Sequence, residues 1–355
     1  MNNLNKFKNK KVLITGHNGF KGSWLTIWLK LLGAQVVGIS LPDKSKTNHF
    51  NLVKKKLKMK SFYFDIRNKK KIKNLILKEK PDFFFHLAAQ SLVHKSILNP
   101  LFNWETNVMG LFHILEALNK LKNKCTAIIV TSDKCYKNLE QLKGYKETDI
   151  LGGVDPYSAS KASAEILFHS YFKTFIEKKN PTLRICTARA GNVIGGGDWS
   201  KDRLIPDCMR MWLKNKAPEI RSPNSTRPWQ HVLEALSGYL ELSLELDKNK
   251  KINGNSFNFS SDKIKNITVE NFLKKIKIKW PEIKWHVKNN NKFYESSLLQ
   301  LDTAKAKKIL NWKARLNLDE TIEFVVNWYK DLHKYKKDIY KISSKQIMQF
   351  MKKKT

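Results

Sequence analysis

Cysteine is scarce: four residues, Cys125, Cys135, Cys186 and Cys208, in a chain of 355. Their spacing is neither that of a disulfide framework nor that of a zinc site, so both are excluded. No apolar run approaches the ~20 residues of a membrane span. The polar stretch Met1 to Lys11 has no apolar core of the kind a secretory signal carries, and a cytoplasmic location is expected. Acidic residues are also few, 31 against 67 basic ones, leaving a formal charge of +36. Within that excess arginine is the minority, and lysine is spread along the whole chain beside many asparagines. A nucleic-acid reader concentrates arginine and interleaves aromatics, so no specific nucleic-acid partner is expected; the charge suits polyanionic small molecules. Internal repeats and long low-complexity linkers are missing too.

What is present alternates strand and helix. Lys11 to Thr15 reads as a strand, Gly16-His17-Asn18-Gly19-Phe20-Lys21-Gly22 as a tight turn, and Ser23 to Leu32 as an amphipathic helix closed by Gly33. Glycines that let the backbone approach a ligand, followed by a helix N-terminus with unpaired N–H groups, suit a pyrophosphate. Gly16, Asn18, Gly19, Phe20 and Gly22 are therefore the expected cofactor-binding turn. Strands Gln35 to Ser40, Ser61 to Asp65 and Phe83 to Gln90 follow, separated by a basic helix from Lys69 to Lys80. Asp43 is a candidate for an adenosine ribose, whereas Lys44 and Lys46 suit a 2′-phosphate, so NAD is expected and NADP stays open. Asp65, Ile66, Leu87, Ala88 and Ala89 lie at strand ends where a dinucleotide would pass. His86, inside an apolar strand, reads as a core residue. Asn103 to Lys122 reads as one long helix carrying Asn107 as a polar anchor.

The apolar strand Ala127 to Val130 ends in Thr131-Ser132-Asp133-Lys134-Cys135-Tyr136. Ligands of open α/β sheets bind at the carboxyl ends of strands, so a hydroxyl, a carboxylate and an amine in succession there are expected to face substrate. Asp155 and Pro156 signal a helix start, with Tyr157 and Lys161 four residues apart on one face. A lysine beside a phenol favours the phenolate and makes tyrosine a usable base.

The glycine turn together with Tyr157-x-x-x-Lys161 resembles the extended short-chain dehydrogenase/reductase family. Within it, the turn, Thr131 to Tyr136, Arg189 to Trp199 and Arg227 to Val232 are similar to the CDP-glucose branch of the nucleotide-sugar 4,6-dehydratases. The resemblance implies a doubly wound parallel Rossmann sheet with a smaller α/β substrate-binding lobe. It implies NAD, a nucleotide-sugar substrate, a homodimer or dimer of dimers, and a place in deoxysugar and O-antigen polysaccharide biosynthesis. It also implies that C4 oxidation is followed by loss of water across C5 and C6 and reduction at C6, with Ser132, Asp133, Lys134, Tyr157 and Lys161 catalytic. The wider dehydratase pattern has Glu after the Asp; Lys134 departs from it but fits the CDP-glucose branch. Lys134 is then either the C5 base or a fixed charge for the enolate oxygen. Another nucleotide-sugar dehydratase or a 4-epimerase of the same fold is the nearest alternative, and a non-catalytic basic nucleotide-binding protein, against which the intact Tyr157 and Lys161 pair argues, is the more distant one.

The expected division is 1–190 for NAD, completed by segments around 229–260, with 191–228 plus 261–332 binding substrate. Gln90, Asn107, Asn192, Trp199, Arg203, Arg221, Arg227 and His231 are the expected substrate contacts, Arg227 foremost because a guanidinium suits a pyrophosphate. Ser256 to Ser260 is expected to rejoin the sheet, and 333–355 is expected to be a frayed basic extension.

Overall fold

The computed structural model describes residues 4–141, 143–264, 267–288, 299–333 and 338–353. Its centre is a sheet of seven parallel strands: β1 (Lys11–Thr15), β2 (Gln35–Ser40), β3 (Lys60–Tyr63), β4 (Phe83–His86), β5 (Cys125–Val130), β6 (Leu183–Arg189) and a seventh strand, Ser256–Asn258. The spatial order is β3, β2, β1, β4, β5, β6 and the seventh strand, with registers such as Thr15 opposite His86 and Val130 opposite Ala188. This is the expected doubly wound Rossmann sheet, and its order reverses between β1 and β4, where such folds bind ligands.

The strands are apolar almost throughout because both faces are covered. Val12, Ile14, Phe83 and Phe85 join one core; Leu13, Val37, Phe84 and Ile129 join the other. Helices α1 (Phe20–Leu31), α2 (His49–Leu57), α3 (Lys69–Glu79), α4 (Val93–Leu98), α5 (Pro100–Trp104), α6 (Gly110–Asn119) and α7 (Pro156–Tyr171) belong to the first 171 residues. The expected single helix from Asn103 is instead α5 and α6 joined by a π-helical turn, Glu105–Met109.

After β6 come α8 (Leu204–Trp212), α9 (Val232–Lys248), α10 (Val269–Lys279), α11 (Ala304–Leu310), α12 (Leu318–His333) and α13 (Ile339–Lys352). The strand Ser256–Asn258 rejoins the sheet beside β6, as expected. The tail departs from expectation. It forms α13, capped by Asp338 accepting from Tyr340 N and Lys341 N, and it buries Ile339, Ile342, Ile347 and Phe350 in the same core as α1. Its apolar residues recur at helical spacing, which a frayed strand of chain has no reason to keep. Among the described residues no helix is long and apolar enough to cross a membrane.

Candidate active site

The glycine turn is held by close backbone approach. Gly16 has φ of +76°, and a Cβ on it would lie 2.8 Å from Ala88 N; a Cβ on Gly22 would lie 2.0 Å from Gly16 O. Gly19 is the N-cap of α1 and offers no side chain, so the amides of the first turn stay available to an anion. Asn18 ties the turn to the end of β2, its N donating to Ser40 Oγ at 3.2 Å and its Nδ2 to Leu41 O at 2.7 Å. Leu87, Ala88 and Ala89 are half-buried at the end of β4. Phe20 packs on the core beside Gly195. Asp65 is bonded to its own neighbour, accepting from Arg67 N at 2.8 Å and Nε at 2.9 Å, while Ile66 is buried against Gly110. The turn therefore fits a dinucleotide: an uncapped helix end faces outward, and glycines stand where any side chain would collide.

At the end of β5 the chain enters a short 3-10 turn, Asp133–Cys135. Ser132 closes it, accepting from Lys134 N at 3.2 Å and donating to Asp133 Oδ1 at 2.9 Å. Ser132 and Asp133 are buried, and Lys134 is half-buried. Asp155 caps α7 by accepting from Ser158 N at 3.0 Å, with Pro156 in the first turn, as the sequence predicts. Tyr157 and Lys161 are both buried. Helix α7 packs on the Asp133–Cys135 turn, and Ser132 favours the phenolate of Tyr157, which brings the two motifs together.

Burial sets the electrostatics of the pair. It pushes the Tyr157 phenol up to about 12, opposed by Ser132 and by Arg203, while Asp133 and Asp155 push it further up. It brings Lys161 down to about 8, against Cys135 and Glu165. A positive charge placed beside the phenol would lower it toward the neutral range.

Lys134, Asn192, Thr226, Arg227, Pro228 and Leu299 line one narrow cleft, so the expected C5 residue and the expected pyrophosphate residue share a wall. Arg227 Nη1 donates to Thr226 O at 2.8 Å, and Asn192 takes a left-handed φ of 48°. Arg203 reaches Asp198 at 3.3 Å and Ser91 O at 3.3 Å. Arg221 is exposed just past the two-residue strand Glu219–Ile220.

Four expected contacts are placed elsewhere. The Gln90 side chain is engaged by Leu92 and Asn103, and Asn107 Nδ2 donates to Gln90 O at 3.0 Å and Ser160 Oγ at 2.9 Å. Both brace β4 against α7 instead of presenting free amides. His231 is fully buried between Trp24 and Phe324 and caps α9 through Leu233 N; burial holds its imidazole down to about 3. Trp199 packs edge-on against Tyr329 at 5.1 Å.

The profile of the GDP-mannose 4,6 dehydratase family matches residues 13–325. CDP-glucose 4,6-dehydratase of Salmonella typhimurium is 41% identical over 330 residues, 92% of each chain. The chain belongs to the GDP-mannose 4,6 dehydratase family. The dTDP-D-glucose 4,6-dehydratase of Dictyostelium discoideum is 30% identical over 76% of this chain and 62% of its own. Among solved structures, dTDP-glucose 4,6-dehydratase from Bacillus anthracis in complex with NAD superimposes with a TM-score of 0.75 at 20% identity, covering 92% of this chain and 98% of that one. UDP-glucose 4-epimerase from Thermotoga maritima, solved with UDP-glucose, gives 0.77 at 22% identity over 90% and 99%. These last two show a shared fold.

Several residues of this dehydratase-family site escape a reading of the sequence. Gly191 is one: a Cβ there would lie 1.7 Å from Asp133 Oδ2, so Asp133 rests against bare backbone. Lys21 is another. It lies inside the glycine motif, donates to Tyr239 Oη at 3.3 Å, and is lowered to about 8 by burial and Arg203, against the pull of Asp133. Glu165 and Arg189, described below, complete the set; the position of Glu165 four residues after Lys161 is the one signal that could have found it.

Proposed function

We propose that the protein is a CDP-glucose 4,6-dehydratase, a lyase that forms CDP-4-keto-6-deoxyglucose with NAD. The observation that carries this reading is the packing of α7, which bears Tyr157 and Lys161, on the turn that holds Ser132-Asp133-Lys134, with Ser132 favouring the Tyr157 phenolate. A 4-epimerase needs the tyrosine and its hydroxyl partner; an added acid and amine at the same strand end serve loss of water. The likeness to the Salmonella enzyme supports the CDP-sugar specifically.

The uncapped end of α1, with Gly16, Gly19 and Gly22, would hold the pyrophosphate of the dinucleotide, and Leu87 to Ala89 its path toward Tyr157 and Lys161. When bound, the oxidised dinucleotide would accept hydride from C4 and return it to C6, and would bring a positive charge beside the Tyr157 phenol. Tyr157 Oη takes the proton of the sugar 4-hydroxyl, with Ser132 Oγ bonded to the same oxygen. The 4-keto group acidifies the C5 hydrogen, which Lys134 Nζ removes. Asp133 gives its proton to the leaving 6-hydroxyl, water departs, and Lys134 Nζ returns its proton to C5 as C6 is reduced. Arg227, Arg203 and Arg221 take the substrate pyrophosphate, and Asn192, which shares the cleft wall with Lys134 and Arg227, takes the sugar side. NAD is preferred to NADP because Asp43, its oxygens held by Ser45 N and Asn48 Nδ2 at 2.8 Å, stands after β2 where a 2′-phosphate would be repelled.

The protein works as a homodimer in the cytoplasm. Ile97, Leu98, Leu101, Trp104 and Met109, exposed along α4, α5 and the π turn, form an apolar face suited to a second copy, and the four cysteines are free and buried, in keeping with a reducing compartment. The decisive experiment incubates the protein with CDP-, dTDP-, GDP- and UDP-glucose and NAD. A 4-keto-6-deoxy product from CDP-glucose alone is expected; CDP-galactose would reverse the reading to epimerase. Lys134→Ala should still bind both ligands but bring no solvent deuterium to C5. Unchanged incorporation would give Lys134 the enolate-stabilising role instead.

A further inference from the structure

We infer that the buried ion pair of Glu165 and Arg189 is a positioning device that clasps both ends of Ser132-Asp133-Lys134 and fixes them to the helix carrying Tyr157 and Lys161. This rests on the dehydratase reading of the same site. Glu165 is on α7, four residues beyond Lys161, and Arg189 ends β6. The two are 2.7 Å apart and almost fully enclosed, with side-chain exposures of 0% and 1%.

From the carboxylate the contacts run toward the start of the catalytic stretch. Glu165 Oε1 accepts from Thr131 Oγ1 at 2.5 Å, and Thr131 directly precedes Ser132. Its Oε2 accepts from Thr187 Oγ1 at 2.9 Å and Ser256 Oγ at 3.1 Å, which anchors it to β6 and the seventh strand. From the guanidinium they run to the other end: Arg189 Nη1 donates to Tyr136 Oη at 2.7 Å, and Tyr136 Oη donates to Asn258 Oδ1 at 2.7 Å. Two residues after Arg189 stands Gly191, the backbone wall against Asp133.

Burial would raise the carboxyl, but Arg189 and the hydroxyls of Thr131 and Thr187 hold it below the usual carboxylate range, so Glu165 stays charged and accepts all four bonds. Breaking such a pair is costly, while its net contribution to stability is small, so its persistence here is explained by geometry. Tyr157 and Lys161 serve hydride removal at C4; Asp133 and Lys134 serve elimination at C5 and C6. They lie on different elements, α7 and the turn after β5, and the ion pair is the joint between them.

The test uses the holoenzyme with CDP-glucose and follows, in a single turnover, appearance of reduced nicotinamide and appearance of the 4-keto-6-deoxy product. Thr131→Val and Tyr136→Phe each cut one arm and leave the ion pair intact, so folding is not at stake. Each should leave hydride removal within about twofold and slow elimination roughly tenfold, so that reduced nicotinamide accumulates, since small misplacements of a reacting group cost rates of this order. Thr131→Ser should restore the parent ratio. The two changes together should be less than multiplicative, because both act through one pair. An equal fall in both steps, no change in either, or failure of the serine to rescue would overturn the clasp. If the parent turns over a different nucleotide sugar, the substrate assignment fails by itself, and the same ratio measured with that sugar still decides the clasp.

Discussion

Two buried polar clusters show how differently the same burial is used. Under the turn after β5 the cluster is ionic: Glu165 and Arg189 are paired at 2.7 Å and surrounded by hydroxyls. Behind α1 the cluster is neutral. His49 bridges Ser23 Oγ at 2.9 Å and Ser343 Oγ at 3.0 Å, Trp328 Nε1 donates to the same Ser343, and α13 is thereby tied to α1 and α12. Burial pushes the His49 imidazole down to about 3, so it is neutral wherever the protein is folded. Charge is kept where three strands and a helix must meet at fixed distances. Where a helix only has to dock, neutral partners and apolar area suffice, and no desolvated charge has to be offset.

The sharpest way to separate the clusters is to remove Tyr157 Oη. Tyr157→Phe should lower kcat roughly a thousandfold with the melting temperature little changed, checked by steady-state turnover and calorimetry. Phe350→Ala attacks the other side: a fully buried ring on α13 is lost, stability should fall by about 3 kcal/mol in denaturant titration, and turnover per folded molecule should stay the same. A fall in kcat instead would mean that α13 shapes the catalytic side and would break the comparison. Gly191→Ala brings a methyl into Asp133 and should cost roughly a hundredfold in product formation. Gly196→Ala meets the Trp328 ring at 2.0 Å and should cost about 2 kcal/mol of stability while sparing the chemistry.

The smallest effect is in acid. The folded His49 value, about 3, lies below its ordinary 6.5, so the unfolded chain binds the extra proton between these values. Stability from this cluster is therefore fully present above pH 6.5 and is lost as pH falls toward 3. Glu165 is also lowered, but from the carboxylate range, so its contribution is lost only below about pH 4.3. Amide exchange across 339–352 should accelerate near pH 5 while β5 and α7 remain protected; simultaneous loss of protection would show that the clusters are not independent.

Much of the fold was legible because its signals are local. Glycines between an apolar strand and an amphipathic helix, Asp155-Pro156 before Tyr157, and polar residues after Val130 each depend on neighbours in the chain. The tail was misread although Asp338, Ile339, Ile342, Ile347 and Phe350 carry a cap and helical spacing, because lysines dominate the segment and mask its buried face. His231, Gln90 and Asn107 have the chemistry of ligand contacts, and only packing shows their polar atoms engaged within the protein or enclosed in its core.

By itself the sequence determined the alternation of strands and helices, the glycine turn and the residue types proposed for the reaction, since these rest on backbone freedom, periodicity and side-chain chemistry. Tertiary structure decided the rest. Glu165 meets Arg189 across 24 residues, Asp133 meets Gly191 across 58, and His49 meets Ser343 across 294, and no local pattern encodes such distances. Burial, which exists only once the chain has closed, then determined which of the ionisable groups are shifted and which stay charged.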